Sequence, residues 1–158
     1  MSGAVRIEQL AKRRELLPVV AAWIYNEWWQ DIEGSSVSKV TDLLRAHLVP
    51  DHIPITLVAS LDVLPVGTAT LLVRDIGTEQ WPQLSPWLAA VYVVPEHRRR
   101  GVGSLLVNAI VKEAAAAGTE TLYLLTTERE EFYAQLGWKV LDRAGEATVM
   151  SRVVAEPG

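Results

Sequence analysis

The passage from Trp87 to Val107, WLAAVYVVPEHRRRGVGSLLV, constrains the fold of this chain more than any other. Residues Trp87 to Val94 are almost all apolar, the pattern of a strand buried on both faces. Pro95 ends the run, three arginines lead into Gly101-Val-Gly103, and Val102, Leu105, Leu106, Ala109 and Ile110 then recur at helical spacing. A doubly buried strand needs covering layers on both sides, so an α/β domain with a mixed sheet is expected. A helix starting directly after the strand offers backbone N–H groups without helical partners and the positive end of its dipole. Gly101 and Gly103 lack a Cβ, so the chain can turn sharply and a ligand can approach the backbone. Arg98, Arg99 and Arg100 add charge-assisted bonds. Together these describe a cradle for phosphate or pyrophosphate. A solvated turn is the plainer alternative.

The rest of the pattern supplies the neighbours of that unit. Val5 to Gln9 reads as a short strand. Arg13 to Trp29 carries Leu16, Leu17, Val20, Trp23, Ile24 and Trp28 at helical spacing, with Trp23 and Trp28 on the core face. Ser36 can cap a second helix, Val37 to Leu48. Ile55 to Leu61 and Val66 to Val73 make a hairpin, and Asp75 to Pro86 is a loop. The long helix runs to Ala117 and stops at Gly118. Thr121 to Leu125 is another buried strand. Thr127 and Glu130 have capping-box spacing for a short helix, Glu128 to Leu136. Trp138 to Asp142 and Ala147 to Val154 form a last hairpin around Ala144-Gly145. One domain over 1–158 accounts for the whole order.

Composition narrows the function. The chain has 158 residues and a formal net charge of -4, so it is no general polyanion binder and the arginine run must act locally. It holds no cysteine, which excludes disulfides, thiolate metal sites and a cysteine nucleophile. His47, His52 and His97 form no ligand-like pair, so no metal is expected. No apolar run approaches the ~18 residues of a membrane span and no signal peptide opens the chain, so a cytoplasmic protein without membrane contact is expected. There is no Gly-Lys-Ser/Thr for a Walker A loop, and Leu106 stands where a dinucleotide fingerprint wants glycine or alanine. Three adjacent arginines without interleaved aromatics are a poor nucleic-acid surface; an RNA-binding reading of His97 to Arg100 is the outlying alternative.

Three blocks in order carry a resemblance: VYVVPEHRRRGVGSLLV with Arg98-x-x-Gly101-x-Gly103, then the strand TLYLLTT, then EFYAQLGWKV. They resemble the GNAT superfamily of acetyl-CoA-dependent N-acetyltransferases over Trp87 to Val140. That resemblance implies a single GNAT domain with a central mixed β-sheet flanked by helices. It implies acetyl-CoA as co-substrate. The backbone of Val91, Tyr92 and Val93 would hold the pantetheine arm, and Arg98, Arg99, Arg100, Gly101, Val102, Gly103 and Ser104 the pyrophosphate. Tyr133 would protonate the leaving thiolate. Thr126 stands where many members have an asparagine that contacts the cofactor, and the strand Thr121 to Leu125 lacks the glutamate base of some members.

For the acceptor, the segment NEWWQDIEG interleaves Glu27, Asp31 and Glu33 with Trp28 and Trp29, a pattern able to greet a cationic amine. Glu79, Trp81 and Trp87 are outside candidates near a loop that could act as a lid. The expected partner is a small-molecule or peptide amine, with no nucleic acid, and members often form homodimers through the later strands. A non-catalytic acyl-CoA sensor on the same fold is the alternative reading.

Overall fold

The computed structural model describes residues 4–154. One seven-stranded sheet has the order β1-β2-β3-β4-β5-β7-β6. Its strands are β1 (Val5–Gln9), β2 (Ile55–Leu61), β3 (Leu64–Leu72), β4 (Trp87–Val93), β5 (Thr121–Thr126), β6 (Lys139–Ala144) and β7 (Ala147–Val153). All neighbours are antiparallel except β4 and β5, which are parallel. Helices α1 (Leu17–Ile24), α2 (Val37–Leu44), α3 (Val102–Ala116) and α4 (Glu130–Gln135) complete the expected mixed α/β architecture.

Alternation along the strands sorts the core into layers. Leu57, Leu122, Leu124 and Met150 pack with Val102, Leu106 and Ile110 of α3 on one face. On the opposite face Val58 meets Leu17, Val20, Val40 and Leu44 of α1 and α2. That face has a second, separate cluster: Tyr123, Leu125 and Val149 under Trp81 and Trp87. Two different layers therefore share it. The first two helices cover the β2–β3 half, and the loop 73–86 covers the β5–β7 half.

Several boundaries differ from the sequence expectation, each for a local reason. The first helix begins at Leu17 rather than Arg13, because Arg13 is held by Glu8 at 2.7 Å and Glu15 at 2.8 Å and 3-10 turns precede Pro18 at the helix start. It ends at Ile24 and continues as a π turn over Tyr25–Trp29. That wide turn takes Trp28 off the core face and leaves it 43% exposed. The second helix ends at Leu44 and passes into a 3-10 turn over Arg45–His47. Ser36 caps its start as expected, accepting from Lys39 N–H at 3.1 Å. The capping box at Thr127 does not form. Helix α4 starts at Glu130, and it is Thr126 Oγ1 that accepts from Arg129 N–H at 3.0 Å. The Glu130 carboxylate instead bonds Arg143 at 2.8 and 3.1 Å.

The α1/α2 face is polar beneath His47. Thr56 and Thr70 sit opposite one another in β2 and β3, their hydroxyls 3.0 Å apart, and His47 Nδ1 lies 2.8 Å from Thr56 Oγ1. Burial of the imidazole pulls its pKa down to about 4. Free histidine titrates near ~6.5, so below that pH the unfolded chain binds a proton that the folded chain refuses. Stability should therefore fall by about 1 to 2 kcal/mol between pH 7.5 and pH 5. Urea melts of the parent and of His47→Gln read this directly: the variant should lose most of that pH dependence. A second prediction concerns Gly67, opposite Val93 in the sheet. A Cβ there would stand 2.8 Å from Tyr92 O and 3.0 Å from Leu106 Cδ1. Gly67→Ala should cost about 2 kcal/mol in the same melts.

Candidate active site

The site begins where two strands part. β4 and β5 pair only at Trp87↔Tyr123 and Leu88↔Leu124. Beyond those residues β4 stays with β3 and β5 stays with β7, so the sheet opens. The cause in β4 is a bulge. Thr70 pairs with Ala89 and Thr68 with Tyr92, so Ala90 and Val91 together oppose Ala69. Ala90 takes the left-handed conformation, φ 54°, at a cost of about 1 kcal/mol for a residue with a Cβ. The extra residue also explains why Leu88 and Val91, three apart, both pack on the α3 side while Ala90 faces α1.

The opening is a cleft of about 1120 Å³ that passes through the sheet. Its α3-side mouth is built by the Arg-Gly turn and by α4. Gly101 is the N-cap of α3 with φ 84°, and Arg99 is also left-handed, φ 63°. The first i→i−4 bond of the helix is Leu105 N–H to Gly101 O at 3.1 Å, so the N–H groups of Val102, Gly103 and Ser104 have no helical partner. Arg98 is used differently: its Nε donates to Val93 O at 2.8 Å and its guanidinium lies 5.6 Å from the Tyr92 ring centre. Val94 N–H bonds Val66 O on the β3 side. By strand alternation the Val93 N–H points the other way, into the opening.

Tyr133 lies across the cleft from this turn. It is buried, with its ring edge-on to Phe132 and Trp138 at 5.0 and 6.1 Å. Burial pushes its phenol up to about 12, with Arg129 nearby opposing the shift, so the hydroxyl is held protonated. Thr126 is buried at the end of β5, and its hydroxyl, already accepting from Arg129, keeps its own proton to donate.

The opposite mouth lies between the two layers of the other face. Glu27, Trp28, Trp29 and Ile32 come from the π turn and its continuation, and Asp75 and Ile76 from the loop 73–86. Trp23 and Trp28 pack on Tyr92, with ring centres 5.6 and 6.5 Å apart.

The cleft thus gathers Val91, Tyr92, Val93, Arg98, Arg99, Gly101, Gly103, Ser104, Thr126, Tyr133, Glu27 and Trp28. Arg100, Asp31 and Glu33 are exposed and do not line it, and the Val102 side chain is in the core. Glu79, Trp81 and Trp87 do not line it either. Trp81 is buried and donates to Asp142 at 2.8 Å, and Trp87 donates to Leu84 O at 2.9 Å. These bonds pin the proposed lid to the sheet. Sequence reasoning missed Asp75, Ile76 and Arg129, which sit in loop segments with no periodic signal. Among the described residues no group of His, Asp and Glu could hold a metal ion, and no helix is long and apolar enough to cross a membrane.

Comparison with known proteins follows this geometry. An acetyltransferase (GNAT) domain model matches residues 53–140, more than half of the chain. No curated protein matches it in sequence. Among solved structures it is similar to aminoglycoside 6'-acetyltransferase type Ii, at 22% identity and TM-score 0.72, over 97% of this chain and 99% of that one. It is similar to an aminoglycoside 6'-N-acetyltransferase complexed with coenzyme A, at 18% identity and TM-score 0.73, over 97% and 99%. N-acetylglutamate synthase from Neisseria gonorrhoeae, complexed with coenzyme A and N-acetyl-glutamate, is similar at 18% identity and TM-score 0.71, over 99% of this chain and 36% of that one. At these identities the likeness to solved structures is one of fold, and the family is carried by the domain match. With its split sheet and its Arg-Gly turn at the start of α3, the chain belongs to the GNAT acetyltransferase family.

Proposed function

We propose that the protein is an N-acetyltransferase that moves the acetyl group of acetyl-CoA to a primary amine by direct attack in a ternary complex. The observation that carries this reading is the through-sheet cleft, with unpaired helix N–H groups at one mouth and a protonated Tyr133 inside it. The residues fit the cofactor. Three N–H groups and Arg99 suit a pyrophosphate. Gly103 keeps the entrance open, since a Cβ there would come to 3.5 Å from Phe132 and 3.8 Å from Val93. The edge of β4 from Val91 to Val93 has no β5 partner, and its groups other than Val93 O, which Arg98 engages, can receive the pantetheine amides as an added strand would.

Bound acetyl-CoA supplies the thioester; the amine nitrogen bonds its carbonyl carbon, the C–S bond breaks, and the proton lost by nitrogen balances the one gained by sulfur. The Val93 N–H, aimed into the opening, serves the oxygen on which negative charge develops. Tyr133 donates to the departing sulfur. Burial holds the proton on the Tyr133 phenol, pushed up to about 12, until negative charge builds on sulfur and the proton passes to it. The hydrogen bond from Tyr133 strengthens as that charge builds, with Arg129 adding positive charge close by. Holding both reactants in one cleft supplies the remainder. A non-catalytic acyl-CoA-binding module is the second reading, favoured by Thr126 and by a β5 without an acid.

Thermal unfolding with parallel ligands tests the cofactor. Acetyl-CoA or CoA at about 100 times Kd should add about 2.7 kcal/mol and raise Tm by several degrees, while ATP and NAD leave it unchanged. Absence of a shift with both CoA forms would remove the cradle assignment. Gly103→Ala should stabilise the free chain by about 0.5 to 1 kcal/mol, as alanine does in a helix, yet lose most of the CoA-induced shift. Tyr133→Phe should lower kcat about 100-fold and leave the CoA shift intact. A CoA shift without turnover on any amine would select the binding-module reading.

A further inference from the structure

The mouth away from α3 has a composition that the acetyltransferase reading alone does not explain. One wall is the π turn with Glu27, Trp28 and Trp29, continued by Ile32; the other is Asp75 with Ile76. Trp28, Ile32 and Ile76 are 43%, 44% and 62% exposed, although each faces a cleft. Large apolar side chains gathered in an open groove mark a binding surface. Between them stand two carboxylates. Glu27 is exposed and solvated. Asp75 is half-buried, with Oδ1 accepting from Ile76 N–H at 2.8 Å. Its other oxygen has no bonded partner among the described residues. Burial and nearby Glu79 raise its pKa, and the Ile76 N–H opposes them. A carboxylate in that setting gains from a cationic partner.

We propose that this groove selects a primary amine carrying a compact aromatic or branched apolar group, with Asp75 binding the ammonium and Trp28, Trp29, Ile32 and Ile76 enclosing the apolar part. A polyhydroxylated amino sugar would leave its hydroxyls against indole and isoleucine carbons, unpaired. A linear polyamine would lay its charged nitrogens against Trp28, Trp29, Ile32 and Ile76, with Glu27 and Asp75 the carboxylates set among them and Glu128 beside Arg129 beyond β5. The aminoglycoside enzymes that share the fold therefore do not set the acceptor class here. The proposal rests on the acetyltransferase reading for what happens to the amine, and on the groove alone for which amine binds.

Isothermal titration of the whole chain, with and without CoA, separates the two. Phenethylamine should bind at least tenfold more tightly than ethylamine, spermidine or kanamycin. Asp75→Asn keeps the acceptor for Ile76 N–H but removes the charge. It should weaken phenethylamine binding about tenfold while leaving the CoA thermal shift unchanged and the melting midpoint no lower. Ile76→Ser should erase most of the preference for phenethylamine over ethylamine. Equal binding of ethylamine, preference for spermidine or kanamycin, no binding of any of these amines with CoA present, or an Asp75→Asn variant that binds like the parent would each overturn the proposal. Phenethylamine binding without acetyl transfer would leave the groove assignment standing and remove the catalytic one. Acetyl transfer to kanamycin in preference to phenethylamine would do the reverse.

Discussion

Two residue pairs join the halves of the sheet, and the cleft exists because there are no more. Trp87↔Tyr123 and Leu88↔Leu124 hold β4 beside β5, and the bulge at Ala90 then turns β4 away. Each half keeps its own outer partners, β3 for β4 and β7 for β5, so the parting costs the fold no further strand pairing on those sides. What it does leave is two free backbone edges facing each other. Such groups are tolerated only where water or a ligand reaches them. A peptide-like arm that bonds to one edge replaces the missing strand, and so the same defect that weakens the sheet makes the cleft adhesive.

The parting also sorts charge within a chain whose formal net charge is -4. On the α3 side are Arg98, Arg99, the positive end of a fifteen-residue helix, and Arg129 beside Glu128. On the other side are Glu27 and Asp75. A low-polarity passage lined by Leu88, Ala89, Leu124 and Leu125 separates them. The two mouths of the cleft thus differ in their charged side chains. A local positive site is compatible with a net negative chain, because a helix terminus and a neighbouring arginine act over a few ångströms.

The periodic parts of this arrangement were legible in the sequence, and the aperiodic parts were not. The doubly apolar run at Trp87, the helical spacing after Val102 and the stop at Gly118 give β4, α3 and its end almost to the residue. The Arg-Gly turn was readable because glycine takes the left-handed conformation, φ 84° at Gly101, that turns the chain into α3. The bulge was hidden because Ala90 looks like any residue of a strand apolar on both faces; only the shared side of Leu88 and Val91 reveals it. The π turn breaks the spacing that placed Trp28 in the core. Thr126 and Thr127 are chemically alike, and which one reaches back to Arg129 depends on strand alternation at the end of β5. Asp75 reads as a turn former, and it is one, since Thr78 Oγ1 donates to its carbonyl at 2.6 Å. Its place beside the cleft comes from the sheet order, which no local pattern contains.

Arg98 shows how a motif residue can serve the site without meeting the ligand head-on. Its side chain bonds Val93 O and lies over Tyr92, and Tyr92 in turn carries Trp23 and Trp28. One aromatic ring therefore touches both Arg98 of the turn before α3 and the tryptophans of α1 and the π turn. The Val93 carbonyl that Arg98 engages shares its peptide plane with the Val94 N–H, which bonds Val66 O, so the bond that shapes the turn also steadies β4 against β3. The two mouths are built on a common support, and Arg98 of the Arg98-x-x-Gly101-x-Gly103 pattern is part of it.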